Sequence, residues 1–578
     1  MMVGVAEFAF GLLIFDSAIF GCIWLYVLLL KNRWACVKWR WKIIWKEIPR
    51  KNSDIFLLNK KLLMFISKSL FKEFTQSPKL AWYYVNDKAL HQKIQEDTYG
   101  GMDWAAMGQT VEDMVKKLYA GKTIAEVESK KINYKNRHKS YAELTSKALA
   151  QNPDVVYQAG FCTETLFAKT DFLVKNETGK YDLMEVKSKN GIRSTNKAQT
   201  LLDELSTDVS FQKYVLEKTL GEKFSGNCYV VYLNKEFLKH GEIDPKDIIL
   251  QELVNNDLMT DDAIESILAT MESDLSLSLE DFNKKYPYDG SDYFTYFGKE
   301  PPKKSIRTIA GIVQGKKKLL YELGKILISD LTDEDILTIL SNKDGSESKS
   351  SIYMNLRKQG EEVIEKQTIK NIFDWLKFPL FFYDYETVAT PIPLFDGTKP
   401  WQAATVQYSL HKMDADGTIT HYENIIGLQA PDIKKVVDQF VHDVGTPQGT
   451  FIAWNKWFEC SRNNETAAMY PEYKDFYDQV NAQTYDLMDI FKSMQYFHRD
   501  FSGSASIKKV LPVLTDISYD DLEVGNGWVA TNLLQQIVLG TIDEKSYEAT
   551  VKNLLTYCEQ DTRAMVRIWE VVKSKIAI

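Results

Sequence analysis

Leu380-Phe381-Phe382-Tyr383-Asp384-Tyr385-Glu386-Thr387 decides how the chain folds. An apolar run ending in two carboxylates two residues apart predicts a buried strand whose alternation turns Asp384 and Glu386 to one face. Carboxylates held that close repel each other unless a cation lies between them. Working outward, residues 404–411 and 418–426 read as two more strands, joined across Asp414-Ala415-Asp416-Gly417, a turn composition. Residues 433–444 read as a helix, 451–454 as a fourth strand and 547–575 as a closing helix. Three strands, a helix, a strand and further helices describe a mixed α/β layer fold.

Two more motifs fall on these elements. Tyr557 and Asp561, four apart in the closing helix, share one of its faces. Asn455-Lys456-Trp457-Phe458-Glu459 follows the fourth strand and supplies another acid. Asp384, Glu386, Glu459 and Asp561 are therefore candidate ligands for two magnesium or manganese ions. Two such ions, roughly 4 Å apart, stabilise the attacking and leaving oxygens of a phosphodiester displacement. Tyr557 is placed to orient the attacking water.

Upstream, helical spacing dominates residues 66–131, with Gly108 and Glu112 inside the pattern. Residues 155–186 change to short β-branched and aromatic runs around Asn176-Glu177-Thr178-Gly179, a hairpin signal. Phe167-Ala168-Lys169-Thr170-Asp171 precedes that turn, and Leu183-Met184-Glu185-Val186-Lys187 follows it. Glu185 and Lys187 share a strand face, so Asp171 and Glu185 can hold one metal ion while Lys187 positions a water and neutralises charge at phosphorus. Residues 242–281 are acid-rich and helical in pattern. Lys299-Glu300-Pro301-Pro302 marks a boundary near residue 300, and 361–377 returns to a helical period.

Tyr383-Asp384-Tyr385-Glu386-Thr387, Asn455-x-x-Phe458-Glu459 and Tyr557-x-x-x-Asp561 resemble the three motifs of DEDDy exonucleases, the RNase H-like 3′-to-5′ enzymes. That family's second motif ends in Asp; the matching position here is Glu459, one methylene longer. Residues 392–398 (Ile-Pro-Leu-Phe-Asp-Gly-Thr) and 506–512 (Ser-Ile-Lys-Lys-Val-Leu-Pro) resemble more closely a bacterial family of uncharacterised proteins. That family carries this domain behind a second nuclease-like region and accepts Glu in the second motif. Asp171, Glu185-x-Lys187 and Gln212-x-Tyr214 resemble the PD-(D/E)XK nucleases in their RecB and Cas4-like form, with Gly108-x-x-x-Glu112 matching an early helical metal ligand.

These resemblances imply an α/β chain of two modules. A PD-(D/E)XK restriction-endonuclease-like module would span 64–300, a helical linker 301–377, and an RNase H-like DEDDy exonuclease module 378–578. The implied activity is metal-dependent hydrolysis of DNA or RNA, with two Mg2+ or Mn2+ ions at the C-terminal site and one at the N-terminal site. The alternatives are an endonuclease acting through the N-terminal site and a non-catalytic nucleic-acid-binding scaffold. Many PD-(D/E)XK relatives clamp an iron–sulfur cluster with one early and three late cysteines. Here Ser77 stands at the early position and no cysteine occurs between Cys228 and Cys460, so no cluster is expected. Aromatics at Tyr286, Tyr288, Tyr293, Phe294, Tyr296 and Phe297 are expected to fill that region.

Composition sets the remaining bounds. At 578 residues the chain has room for about four domains. With Lys plus Arg at 71 and Asp plus Glu at 79, the net charge is −8, so a polyanion needs local basic patches. Lys303, Lys304, Arg307, Lys316, Lys317 and Lys318 are candidates for backbone contact, Asn455 and Gln212 for contact at the sites, and Trp401, Tyr408 and Trp457 for base stacking. The six cysteines show no CxxC, and the seven histidines no HExxH or HxH, so zinc chemistry has no support in the spacing. Phe8 to Leu30 is apolar apart from Asp16 and is followed by Lys31, Arg33, Lys38 and Arg40. It is long enough to span a bilayer and would leave the remainder in the cytoplasm. Residues 1–60 are thus either a transmembrane anchor or an extension upstream of a start at Met64.

Overall fold

Short β-branched and aromatic runs become strands wherever a partner strand buries them, and amphipathic segments cover the resulting sheets. A computed structural model describes residues 65–577 apart from 100–103, 134–135, 195–199, 287–297, 300 and 429–430. Ile66–Ile578 forms one compact unit, distinct from Met1–Phe65. The apolar run at residues 8–30 lies outside the described residues, as do Tyr288, Tyr293, Phe294, Tyr296 and Phe297. Among the described residues, no helix is long and apolar enough to cross a membrane.

The N-terminal half opens with β1 (Ile66–Ser67), α1 (Lys68–Gln76) and α2 (Trp104–Leu118). Strands β2 (Ile124–Glu126), β3 (Val155–Tyr157), β4 (Gly160–Cys162), β5 (Leu166–Lys169), β6 (Phe172–Lys175) and β7 (Tyr181–Val186) follow. Helix α3 (Asp203–Leu220), β8 (Phe224–Leu233) and β9 (Ile249–Leu253) complete it. A six-stranded mixed sheet has the order β2-β3-β6-β7-β8-β9, and a three-stranded sheet the order β1-β5-β4. Strands β6 and β7 are the expected hairpin across residues 176–179. Helix α3 is the crossover that makes β8 parallel to β7. Strand β9 lies in the segment expected to be helical; its pairing with β8 overrides the local pattern.

Residues 301–377 are a packed layer with its own core, in which Ile306, Leu320, Ile336, Leu340 and Tyr353 meet Met494 and Phe497. The helical period expected over 361–377 holds only for Lys366–Trp375. Before it, β10 (Glu362–Ile364) is a strand.

The C-terminal half contains β11 (Leu380–Val388), β12 (Ala404–Met413), β13 (Ile419–Ile425), α4 (Ile433–Val444), β14 (Thr450–Ala453) and α5 (Lys456–Met469). Then come β15 (Thr484–Asp486), β16 (Tyr496–His498), α6 (Ile507–Leu514), α7 (Gly527–Leu539) and α8 (Glu544–Ile576). The chain is thus a mixed α/β protein. The sheet order is β13-β12-β11-β14-β15, with β11, β12 and β13 antiparallel and β14 and β15 parallel. Strand β10 pairs with β16, which explains why residues 362–364 leave the helical state. On one sheet face Phe440 of α4 packs against Tyr383, Tyr385 and Tyr408. On the other lies α8, where Trp569 meets Phe382 and the Leu554 carbonyl accepts a 2.8 Å hydrogen bond from Gln407 Nε2.

The two halves touch through residues 392–401. The Trp401 indole donates to the Ser188 carbonyl at 2.6 Å, and Asn190 Nδ2 to the Pro400 carbonyl at 2.8 Å. Lys239 pairs with Asp396. The segment carrying Ile392 to Thr398 therefore works as a brace between the sheets.

A second brace generates a stability prediction. Gly503 has φ +70°, and a Cβ there would lie 2.2 Å from the Thr308 carbonyl oxygen and 2.7 Å from the Ala310 nitrogen. Gly417 has φ +89° but open space around it. Gly417→Ala should cost about 1–2 kcal/mol of left-handed backbone strain. Gly503→Ala should cost clearly more and lower the melting temperature by several degrees beyond it. Equal melting temperatures for the two variants would contradict the close approach.

Candidate active site

The central strand β11 ends under α8, and its alternation delivers Asp384 and Glu386 to the face that α8 covers. Asp561 projects from α8 onto the same point. One carboxylate oxygen from each of Asp384, Glu386 and Asp561 lies within 4.8 Å of the other two. Burial, followed by the charges of Asp561, Glu459 and Glu386, holds the Asp384 carboxyl well above the usual range. Burial and Asp561 push Glu386 up to about 8, against the pull of Lys508. Burial raises Asp561 to about 6, moderated by a hydrogen bond from Tyr519. A half-buried set of like charges is an arrangement that a divalent cation would offset.

Glu459 stands in the first turn of α5 and is 2% exposed. Its Oε2 is buried and has no hydrogen-bond partner. Burial is the main cause that pushes it up to about 8, with Asp486 and Asp561 adding to the shift. It lies outside the 4.8 Å trio, but its charge reaches Asp384 and Glu386. The entry into α5 is unusual: Asn455 has φ 77° and its side chain makes no cap bond. Asp486, at the end of β15, caps the turn instead. It accepts from the backbone nitrogens of Asn455 at 2.9 Å and Lys456 at 3.2 Å. Asn455, Lys456 and Trp457 are the exposed side of this turn.

Tyr557 is buried one turn before Asp561. Lys508, from the first turn of α6, donates to the Tyr557 hydroxyl at 3.3 Å and to the Gly525 carbonyl at 2.9 Å. Tyr519 donates to Asp561 Oδ1 at 2.5 Å. Burial, then Asp561, keeps Tyr557 a neutral phenol. Lys508, Tyr519 and Asp486 were missed in the sequence. For Lys508 a signal existed, since Ile507, Val510 and Leu511 mark the buried side of α6 and leave position 508 at its edge.

In the N-terminal half, Asp171 Oδ2 accepts from the Val186 nitrogen at 2.8 Å. Burial and Glu185 push its carboxyl up to about 8. Glu185, on β7, is 1% exposed. Lys187 Nζ donates to Glu185 at 2.5 Å and to Asp208 at 2.7 Å, and Lys68 Nζ reaches the same two acids at 3.0 and 3.3 Å. Gln212 Nε2 donates to Glu185 Oε2 at 2.8 Å. Glu112 is engaged by the Tyr157 hydroxyl at 2.6 Å and by Gln158. Asp171, Glu185 and Glu112 are not one of the described groups gathered within 4.8 Å. Lys68 and Asp208 were not anticipated; they turn Glu185-x-Lys187 into a four-member ion network. Tyr214 points elsewhere, to Glu265 at 2.6 Å.

The basic run is divided. Lys303, Lys304 and Lys318 are exposed, whereas Arg307, Lys316 and Lys317 are half-buried. Lys316 is committed to the Ser341 carbonyl at 3.0 Å. Of the aromatic candidates, Tyr408 is buried and its hydroxyl donates to Asp443. Trp401 is held by Ser188, and Trp457 is 74% exposed. Tyr286, one of the expected aromatics, is stacked on Phe282 with ring centroids 4.6 Å apart.

The acid cluster should make stability depend on pH and on divalent metal. Unfolded Glu titrates near 4.3, whereas Glu386 and Glu459 titrate near 8 in the fold. The folded state therefore holds more protons between these values, and metal-free stability falls as pH rises from about 5 to about 8. Manganese or magnesium should restore it, by ~2.7 kcal/mol at a hundred times the dissociation constant. The melting temperature should rise with Mn2+ at pH 8 and much less at pH 5, and Asp384→Asn should abolish the rise. An equal rise in that variant would contradict the assignment.

The family model described as "Domain of unknown function (DUF2779)" matches residues 381–506, which span β11 to the start of α6. The chain is 29% identical over 226 residues to the "Uncharacterized protein MG366 homolog" of Mycoplasma pneumoniae, covering 36% of this chain and 34% of that protein. It is 26% identical over 248 residues to the "Uncharacterized protein MG366" of Mycoplasma genitalium, covering 39% and 37%. It is 26% identical over 314 residues to the "Uncharacterized protein UU173" of Ureaplasma parvum serovar 3, covering 50% and 41%. A solved structure titled "Crystal structure of SSO0001" is similar at TM-score 0.21 and 12% identity, over 38% of this chain and 84% of that one. The chain thus spans between a third and about two fifths of the length of these curated relatives.

Proposed function

We propose that the C-terminal site hydrolyses phosphodiester bonds at an end of a nucleic-acid strand, in a DEDDy-type RNase H-like module. The observation that carries this is the convergence of Asp384, Glu386 and Asp561 within 4.8 Å, half-buried and with more negative than positive charge around them. Glu459 supports it, because a buried carboxylate oxygen with no protein partner has a place for a ligand beside the trio. All four donors are hard oxygens, which fits magnesium or manganese. Bound there, divalent cations would supply charge neutralisation and Lewis-acid polarisation of the phosphoryl group.

The rest of the chemistry belongs to the chain. Tyr557 orients the attacking water through its hydroxyl, which Lys508 holds beside Asp561. Lys508 adds one positive charge next to Asp561 and Glu386. Tyr519 fixes the Asp561 carboxylate through its own hydroxyl. Trp457, exposed on the turn that presents Glu459, offers a stacking face to a terminal base. Asp486 sets the start of α5 and so the position of Glu459, whose longer side chain would serve a ligand held beside the trio.

A second reading gives cleavage to a PD-(D/E)XK-like N-terminal site, favoured by the gathering of Glu185, Lys187, Asp208 and Gln212 around Lys68. Its acids are already paired with two lysines, so it has less need of a cation than the C-terminal cluster.

The test is the full chain on end-labelled and circular DNA and on RNA, with Mg2+ or Mn2+. Asp384→Ala and Asp561→Ala should each lose ~3 kcal/mol or more of transition-state stabilisation, roughly a hundredfold in rate. Tyr557→Phe should lower kcat by about a hundredfold, and EDTA should abolish activity. Circular substrate should survive. Cleavage of circles that Lys187→Ala removes and Asp561→Ala leaves intact would move the active site to the N-terminal half. Binding without any cleavage would leave a scaffold.

A further inference from the structure

We infer that His411, His421 and Glu559 form a site for a divalent ion of the zinc class, which clips the β12–β13 hairpin to α8. The histidines are ten residues apart in sequence, which hid them from a search for short metal-ligand spacings. The hairpin register places His411 directly opposite His421. Side chains of directly paired residues emerge on the same sheet face, and here the imidazoles stack with centroids 4.4 Å apart. That face is the one α8 covers, and Glu559 comes down from it. One ligand atom from each of the three lies within 4.8 Å of the other two.

The surroundings hold the rings in place. Ser409 Oγ lies 2.9 Å from His421 Nε2, and Thr562 Oγ1 lies 2.9 Å from His411 Nδ1. The two hydroxyls are 2.7 Å apart. Each ring thus has one nitrogen held by a hydroxyl of the sheet–helix seam and one not so held. Such outer partners fix tautomer and ring orientation in histidine metal sites.

The donor chemistry separates this site from the acid cluster on the same helix. Two imidazole nitrogens and one carboxylate suit zinc, cobalt or nickel, whereas the oxygens of Asp384, Glu386 and Asp561 suit magnesium or manganese. Three protein ligands leave a coordination position for solvent, and an open cleft beside Glu423, Glu548 and Lys552 reaches Glu559 from the surface. Another described group, Glu361, His498 and Asp500, has one imidazole and two exposed acids and serves as the control. The site stands independently of the proposed hydrolysis. Its consequence is mechanical: Glu559 lies between Tyr557 and Asp561 in α8, so an ion here fixes the turn that carries both.

The metal-free full chain, in excess magnesium, is titrated with Zn2+ by calorimetry and with Co2+ by visible absorption. One equivalent should bind, with the intense visible bands of low-coordinate cobalt. His421→Gln and Glu559→Gln should each weaken binding by at least about tenfold, while Asp384→Asn and His498→Gln leave it unchanged. Zn2+ should raise the melting temperature of the wild type and of Asp384→Asn, but not of His421→Gln. Glu559 is half-buried on a helix, so Glu559→Gln tests the site whether or not His421→Gln folds. No stoichiometric zinc binding, binding retained in both ligand variants, or binding lost in His498→Gln would each overturn the assignment.

Discussion

Mutual repulsion among carboxylates withdrawn from solvent is the constraint around which the C-terminal half is built. Asp384, Glu386 and Asp561 are brought within 4.8 Å, and Glu459 is buried nearby with an unpartnered oxygen. Nothing in the apolar packing asks for this; it is held by the pairing of β11 with β12 and β14 and by the length of α8 across the sheet. The fold supplies the force that keeps the acids together, and the proposed cation would remove the cost. The N-terminal cluster solves the same problem differently, since Lys68 and Lys187 neutralise Glu185 and Asp208 directly.

Helix α8 connects the local chemistry to the sheet. Tyr557 and Asp561 face the acid cluster, and Cys558 packs against Asp384, with Sγ 3.9 Å from Oδ2. Thr562 binds into the seam with Ser409 and His411. A shift of α8 by one residue would therefore break the acid cluster and the seam together. The turn before α5 is set as tightly by Asp486, which takes over the cap that Asn455 does not provide. Position in this site is governed by two helix placements, each fixed by a polar contact to the sheet.

What the sequence showed followed local periodicity. Period two in β11 paired Asp384 with Glu386, and period four in α8 paired Tyr557 with Asp561; both rules act over a few residues and need no knowledge of the fold. The helix at Ile433–Val444 was equally plain, because its apolar stripe is regular. Residues brought in from a distance were not legible. Lys508, Tyr519 and Asp486 reach the site across tens of residues, and Lys68 lies 117 residues before Glu185. His411 and His421 needed the hairpin register, which fixes which residues stand opposite. Strands β9 and β10 were misread as helix because their partners decide their state and their own spacing does not.

The central claim is that divalent metal completes the acid cluster between β11 and α8. Crystals of the full chain grown with Mn2+ and measured for anomalous scattering test it most directly. The account predicts anomalous density bounded by Asp384, Glu386 and Asp561, with Glu459 turned toward it, and its loss in Asp384→Asn. A cluster whose carboxylates stay without manganese, or move apart to pair with lysines, would contradict it.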